Sequence, residues 1–440
     1  MTCRSKRMTL LNTLLLLLVA VGVVSAQTPV TIHVLDAMGL GFRDTFLELI
    51  AEFEQEYPHI KVEAQRATSY VDASEKFIVA MMGGTPPNIL HLSHARSFDL
   101  RWTGAFMPIN DYIANDPNMD LDDFYPPFLE TVMVNGNIYG IPYTVSTPIA
   151  YVWPETLSEA GLPPRAPETW DEIVEFGRRL KRDLDGDGNP DRWGMDITRE
   201  PDWLTDAFIG QAGGSMLSAD LRTVAYNSDA AVRAMQFLQD GILVEGFIRY
   251  PGAPTDEFYG GRLGWAYRTT AGLPQRIQQG QEWMHPITAG PMACDVECFV
   301  PIGGGGLLAV DTGTEAEREA SYLLLSFLAR PENVARFAIA SGYMAVRRSA
   351  LMEPIMQDAF SETPEYQITY AQLAYAHPQA QGPAWATVLD AVWKDRPNVL
   401  DPLFIHGAPV RTVLDEAART GNRLMAEFLA QHPEPAHPAR

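Results

Sequence analysis

Three cysteines in 440 residues are too few for a disulfide scaffold, and Cys3 stands at the very start of the chain. Basic residues are scarce: 33 Lys and Arg face 55 Asp and Glu, giving a net charge of −22. That excess argues against nucleic acid or an anionic membrane surface as the main partner. Beyond the N-terminal segment, no apolar run approaches the ~18–20 residues that cross a bilayer. Enzyme signatures are missing as well. There is no Walker phosphate loop, no G-x-G-x-x-G after a strand, no H-E-x-x-H and no G-x-S-x-G. Carboxylates are so abundant that any acid/base pair would be picked by hand, and no nucleophile–base pair stands out. Apolar residues are plentiful at 46%, which excludes wholesale disorder, and the length suits two or three domain-sized cores.

The chain opens with Arg4, Lys6 and Arg7, then the non-polar run Leu14 to Val24, then Ser25 and Ala26. Val24-Ser25-Ala26 has the small-x-small form that a signal peptidase accepts, so residues 1–26 read as a cleaved secretory signal. The run is short for an uncleaved anchor. No cysteine sits at the cleavage point, so a free periplasmic protein is expected. Cleavage leaves 30 basic against 55 acidic residues, a charge of −25.

Val30, Ile32 and Val34 alternate as a strand; Phe46, Leu49, Ile50, Phe53 and Tyr57 recur at helical spacing up to Pro58; Ile60, Val62 and Ala64 alternate again. Strand–helix–strand with short connections is the unit of a parallel sheet. A second helix is expected to bury Phe77, Ile78, Met81 and Met82, and Ile89 to Leu92 reads as a buried strand. The proline-bounded stretch Ile141 to Pro148 and the turn-rich Gly290 to Pro301 read as crossings between lobes. Strands are expected at Ile149 to Val152 and Leu307 to Val310. Helices are expected near 170–180 (capped by Thr169), 233–244, 316–328, 332–340 and 413–429, with a frayed tail over 431–440.

Asp183, Asp185, Asp187, Asn189 and Asp191 have the alternate spacing of a calcium loop, with Gly186 at the turn; position twelve is Gly194, not Glu. A structural calcium ion is one reading and an Asx-rich surface turn the other. Cys294 and Cys298, four apart, are read either as a small disulfide or as free thiols. The run Gly303 to Gly306 is either a hinge or a point of close backbone approach to a ligand. Trp153, Trp203, Trp265, Tyr267, Trp283 and Trp385 fall in or beside segments read as loops, where rings can stack on sugar C–H faces.

Several stretches carry a resemblance in their order and spacing: Phe53-Glu54-Gln55-Glu56-Tyr57-Pro58, Gly84-Thr85-Pro86-Pro87-Asn88, Ser146-Thr147-Pro148, Ala160-Gly161-Leu162-Pro163, Thr169-Trp170-Asp171-Glu172, Phe258-Tyr259-Gly260-Gly261-Arg262 and Phe327 to Asn333, ending at Gly342-Tyr343. The chain resembles the family 1 extracellular solute-binding proteins of carbohydrate-type ABC importers. It is most similar to the glycerol-3-phosphate and glycerophosphodiester branch, through Ser146-Thr147-Pro148-Ile149, the Gly-rich strand entry, Gly342-Tyr343 and Arg419 to Leu424.

The resemblance implies an α/β, two-lobed periplasmic binding protein fold of type II, with hinge-linked lobes around central mixed sheets. The lobes would be 27–144 plus 300–345 and 145–299 plus 346–440. It implies capture of a sugar, polyol or glycerol-phosphate solute by a monomer that needs no cofactor, and delivery to permease subunits. Ligand contacts would fall on Asp36, Tyr70, Ser146 or Thr147, Trp203, Thr269 or Thr270, Gly305 and Tyr343. Two positions depart: His94 stands where the branch has Glu, and Trp385-Ala386-Thr387 where it has a phosphate-binding Arg. Arg268 is the candidate replacement cation; a neutral sugar stacked on Trp203 and Trp385 is the alternative. A secreted carbohydrate-active enzyme and a ligand-presenting sensor subunit are the rival functions.

Overall fold

The computed structural model describes residues 28–198, 202–394 and 398–437. The expected signal segment lies outside the described residues. The chain begins with β1 (Val30–Asp36), α1 (Leu40–Glu56), β2 (Ile60–Arg66), α2 (Tyr70–Gly83), β3 (Ile89–Ser93) and α3 (His94–Trp102). Later come β4 (Gly140–Ser146), β5 (Pro148–Val152), α4 (Trp170–Leu180) and α5 (Asp202–Gln211). These are followed by α6 (Asp229–Leu243), β6 (Trp265–Thr269), β7 (Thr288–Gly290) and β8 (Val300–Ala309). Next stand α7 (Glu315–Leu328), α8 (Pro331–Ser341), β9 (Ala376–Pro378) and α9 (Trp385–Val388). A π-helical turn over Leu389–Lys394 follows directly, and the long α10 (Val410–Gln431) comes near the end.

Two sheets organise these elements. The six-stranded one runs β9-β8-β3-β1-β2, with β4 also on β8. β1 pairs parallel with β2 and β3, and β8 pairs antiparallel with β3 and β4. The sheet is therefore mixed. The second sheet, β6-β5-β7, is antiparallel. α1 buries Phe46, Leu49, Ile50 and Phe53, the set that three- and four-residue spacing places on one face. Thr169 caps α4 by accepting from the Glu172 amide at 3.2 Å.

Three expectations change. In α2 only Ala73 and Phe77 are buried; Ile78 and Met82 are 50% and 85% exposed, and Met81 is exposed too. Their periodicity is helical, but among the described residues no element covers that face. Next, the strand expected at Leu307 begins at Val300, so the four glycines lie within β8. There they permit close strand packing. Gly304 has φ +98°, and a Cβ on it would stand 1.7 Å from the Thr144 carbonyl oxygen. Finally, the tail is docked: Trp102 Nε1 donates to the His432 carbonyl at 3.0 Å, and the Ala436 amide donates to the Trp102 carbonyl at 2.8 Å. β9, from the C-terminal part, joins the first sheet by pairing parallel with β8.

Candidate functional site

A cavity of about 510 Å³ opens where the first sheet meets residues from the second and from the C-terminal part. The first sheet and its helices contribute Ser69 and Tyr70 at the start of α2, Ser93 and Arg96 around the start of α3, Ser146 at the end of β4, Gly303 and Gly304 of β8, and Tyr343 after α8. The rest of the lining is Trp203 of α5, Thr269 of β6, Gln379, and Leu389 and Lys394 of the π-helical turn, with Val71 and Ala95. Strand ends and helix starts converge here, where open α/β sheets place their ligands.

A hydrogen-bonded chain fixes one wall. His91 Nδ1 accepts from the Ala37 amide at 3.3 Å, so its proton sits on Nε2 and is donated to Thr144 Oγ1 at 2.8 Å. Thr144 Oγ1 donates to the Gly305 carbonyl at 3.2 Å, which leaves it to accept from the Tyr70 hydroxyl at 3.1 Å. The Tyr343 phenol stands close enough to Tyr70 for the two to influence each other's ionisation. Burial pushes the Tyr70 phenol up to about 12 and Tyr343 well above its ordinary value. Burial also holds His91 down at about 3, so its imidazole is neutral. With its proton given to Thr144, the Tyr70 oxygen offers lone pairs toward hydroxyl groups in the cleft.

Of the residues expected from sequence, Tyr70, Ser146, Trp203, Thr269 and Tyr343 come together in this cavity. Strand parity sorts the rest. Successive residues of a strand face opposite sides, so Thr269 lines the cleft while Arg268 turns away. Arg268 is committed to Asp196, with Nη2 donating to Oδ2 at 2.6 Å, and does not serve as the cleft's cation. Thr147 is buried beside Met344 and Thr270 is fully buried. Gly305 backs Tyr70: a Cβ there would meet its hydroxyl oxygen at 2.9 Å.

His94 is buried beneath the start of α3 with neither ring nitrogen bonded, and burial first, then Arg101 and His91, pulls its pKa well down. Asp36 is a buried structural carboxylate held by Arg43 Nη2 at 2.9 Å. Trp385 is buried at the start of α9, beside Tyr226, and does not line the cleft. Trp153, Trp265 and Tyr267 are likewise core residues, and Trp283, 44% exposed, stands outside the cavity lining. Of the aromatic set, Trp203 alone reaches the cleft.

Arg96, Lys394, Gln379, Ser69 and Ser93 line the cleft without having been singled out from sequence. Arg96 carried one signal: it is the first cation after the apolar strand Ile89–Ser93.

Away from the cleft, Cys294 and Cys298 are bonded to each other. In the Asp-rich loop, carboxylate oxygens of Asp183, Asp185 and Asp187 lie within 4.8 Å of one another, all exposed. Asp191 instead accepts from the Leu184 amide at 2.7 Å, and Asn189 donates to Asp187 at 3.2 Å. Three carboxylates supply about half the six to eight oxygens calcium takes.

Among the described residues, no helix is long and apolar enough to cross a membrane. The sequence matches the bacterial extracellular solute-binding protein family over residues 48–367. It is 22% identical over 399 residues to the sn-glycerol-3-phosphate-binding periplasmic protein UgpB of Pectobacterium atrosepticum, covering 86% of this chain and 88% of that one. The Salmonella typhimurium protein of the same name is also 22% identical, with 86% and 89% covered. Among solved structures, UgpB of Mycobacterium tuberculosis in complex with glycerophosphocholine superposes with TM-score 0.79 at 21% identity, covering 90% of this chain and 98% of the other. The sugar-binding protein MalE of Xanthomonas citri gives 0.78 at 20% identity, with 90% and 98% covered. The fold is thus that of the two-lobed periplasmic solute-binding proteins.

Proposed function

We propose a function from the premise that the chain belongs to the bacterial extracellular solute-binding protein family: it captures a sugar, polyol or glycerol-phosphate-type solute in the cleft between its lobes and delivers it to an ABC permease. The observation that carries this reading is the cleft wall itself. Tyr70 presents an oriented phenol oxygen, Tyr343, Ser146 and Thr269 add hydroxyls, and Trp203 supplies an apolar ring. Polar groups that fix hydroxyls beside a ring that covers C–H faces are what a polyol requires. A solute lacking one hydroxyl leaves a buried group unpaired at about 1–3 kcal/mol, which is the source of selectivity.

Hinge closure between 27–144 plus 300–345 and 145–299 plus 346–440 would bury the solute. The protein works as a monomer exported by a cleaved signal over residues 1–26, not lipid-anchored. The family's relatives are binding proteins, and binding needs no catalytic group and no cofactor. A structural calcium ion at Asp183, Asp185 and Asp187 is proposed on their convergence alone.

A thermal-shift panel of mature protein tests the reading. It spans glycerol 3-phosphate, glycerophosphocholine, mono- and disaccharides and sugar alcohols. A ligand bound only by the folded state raises the melting temperature by mass action. At least one of these is expected to do so; uniform silence across the panel overturns the proposal.

A further inference from the structure

We infer that Arg96 is the charge reader of the cleft, held by Asp390 until a compact anionic group of the solute takes that carboxylate's place. The cleft then selects solutes bearing a phosphate or carboxylate. This rests on the cleft being the solute site.

Among the described residues, the charged side chains lining the cavity are Arg96 and Lys394. In a chain of net charge −22, two cations on one stretch of the described cleft wall favour a negative solute. Arg96 is already in the geometry that reads anions. Its Nη1 donates to Asp390 Oδ2 at 3.0 Å while Nη2 donates to Oδ1, two bonds from one planar fork. The same fork fits phosphate or a second carboxylate.

The two partners differ in what separation costs. The Arg96 side chain is 9% exposed and cannot rehydrate in place, whereas Asp390 is 39% exposed and can turn to water. A buried cation must keep a partner, so binding takes the form of exchange, one anion for another. The elements on either side are fixed for this. Arg96 stands in the first turn of α3, where Ser93 Oγ accepts its amide at 3.3 Å. Asp390 and Lys394 share the π-helical turn over Leu389–Lys394, a rare conformation that concentrates at functional sites. Four residues apart on that turn, they let an anion replacing the carboxylate lie near the lysine as well.

Calorimetric titration of the mature chain tests the exchange. Glucose 1-phosphate and glycerol 3-phosphate form the phosphate arm, glucuronate the carboxylate arm, and glucose and maltose the neutral arm. An anionic probe is expected to bind at least tenfold tighter than the neutral ones, and the arm that does so identifies the group read. Asp390→Asn, which frees the fork but keeps the size, should tighten that probe about tenfold. Arg96→Gln should weaken it at least tenfold, and Arg96→Lys should restore part of the loss, because it keeps the charge without the fork. Affinity should fall with salt in wild type and be less salt-dependent in Arg96→Gln. Circular dichroism melts identify variants that fail to fold, and Asp390→Asn, expected to gain affinity, cannot be mimicked by misfolding. If a neutral probe binds tightest, is lost in Trp203→Ala, and ignores both substitutions, the exchange is overturned while the solute-binding reading stands. Silence of every probe overturns both.

Discussion

Thr144 is the node on which the cleft wall depends, and its replacement by valine gives a magnitude that can be worked from the structure. Valine matches threonine in shape, so the substitution removes the hydroxyl and leaves the packing. Three bonds go with it: from His91 Nε2, from the Tyr70 hydroxyl and to the Gly305 carbonyl. His91 is buried and has no water to turn to, and the Gly305 carbonyl loses its side-chain donor inside the sheet. Each such loss costs about 1–3 kcal/mol. Tyr70 borders the cleft and regains part of its loss from water. The sum expected for Thr144→Val is about 2–6 kcal/mol from His91 and Gly305, with a smaller part from Tyr70. Thr144→Ser keeps the hydroxyl and loses one methyl group, worth about 1 kcal/mol. Urea unfolding followed by circular dichroism separates the two, provided the slope with denaturant is unchanged. Equal midpoints for the valine and serine variants would refute the account of this network.

Other outcomes follow from buried charges. Arg43→Met leaves the fully buried Asp36 carboxylate without its cation, and a loss of about 3–5 kcal/mol in unfolding free energy is expected; stability within experimental error of wild type would show that the pair is dispensable. Burial raises the Asp99 carboxyl from 3.8 to about 7, against the Ala384 amide and Arg101 that favour its charged form. A raised carboxyl contributes its full stability below its unfolded value and loses it as pH climbs from 3.8 to about 7. The difference in unfolding free energy between wild type and Asp99→Asn should therefore shrink or reverse across that window; a pH-independent difference contradicts the assignment. Taking the difference cancels the opposite slope of His91, whose depressed value of about 3 costs stability as pH falls below 6.5. Gly304→Ala is expected to destabilise by more than 2 kcal/mol in the same urea assay, since φ is +98° and the Thr144 carbonyl occupies the space; an unchanged midpoint would mean that β4 and β8 can part there at little cost.

Much of the fold is legible because its signals are local. The alternation of Val30, Ile32 and Val34 and the spacing of Phe46, Leu49, Ile50 and Phe53 each determine a buried face within a few residues. The disulfide partners Cys294 and Cys298 are equally close. What the sequence hides depends on distant parts. Ile78 and Met82 have core-like spacing, but whether another element covers α2 is decided elsewhere in the chain. Trp265, Tyr267 and Trp385 are aromatics of the type that stack on sugars, yet they fill the core. Arg268 and Thr269 are neighbours whose roles follow from strand parity, fixed by the register of Arg268 on Ile149. Arg96 takes its meaning from Asp390, 294 residues later, and no local pattern announces that partner.

The cleft's assignment as the solute site is tested most directly by titrating the panel's best ligand into wild type, Trp203→Ala and Tyr343→Phe under calorimetry. Trp203 and Tyr343 both line the cavity, so each variant should lose at least tenfold in affinity. Their melting temperatures without ligand should stay close to wild type. Undiminished affinity in both well-folded variants would place the solute somewhere other than this cleft.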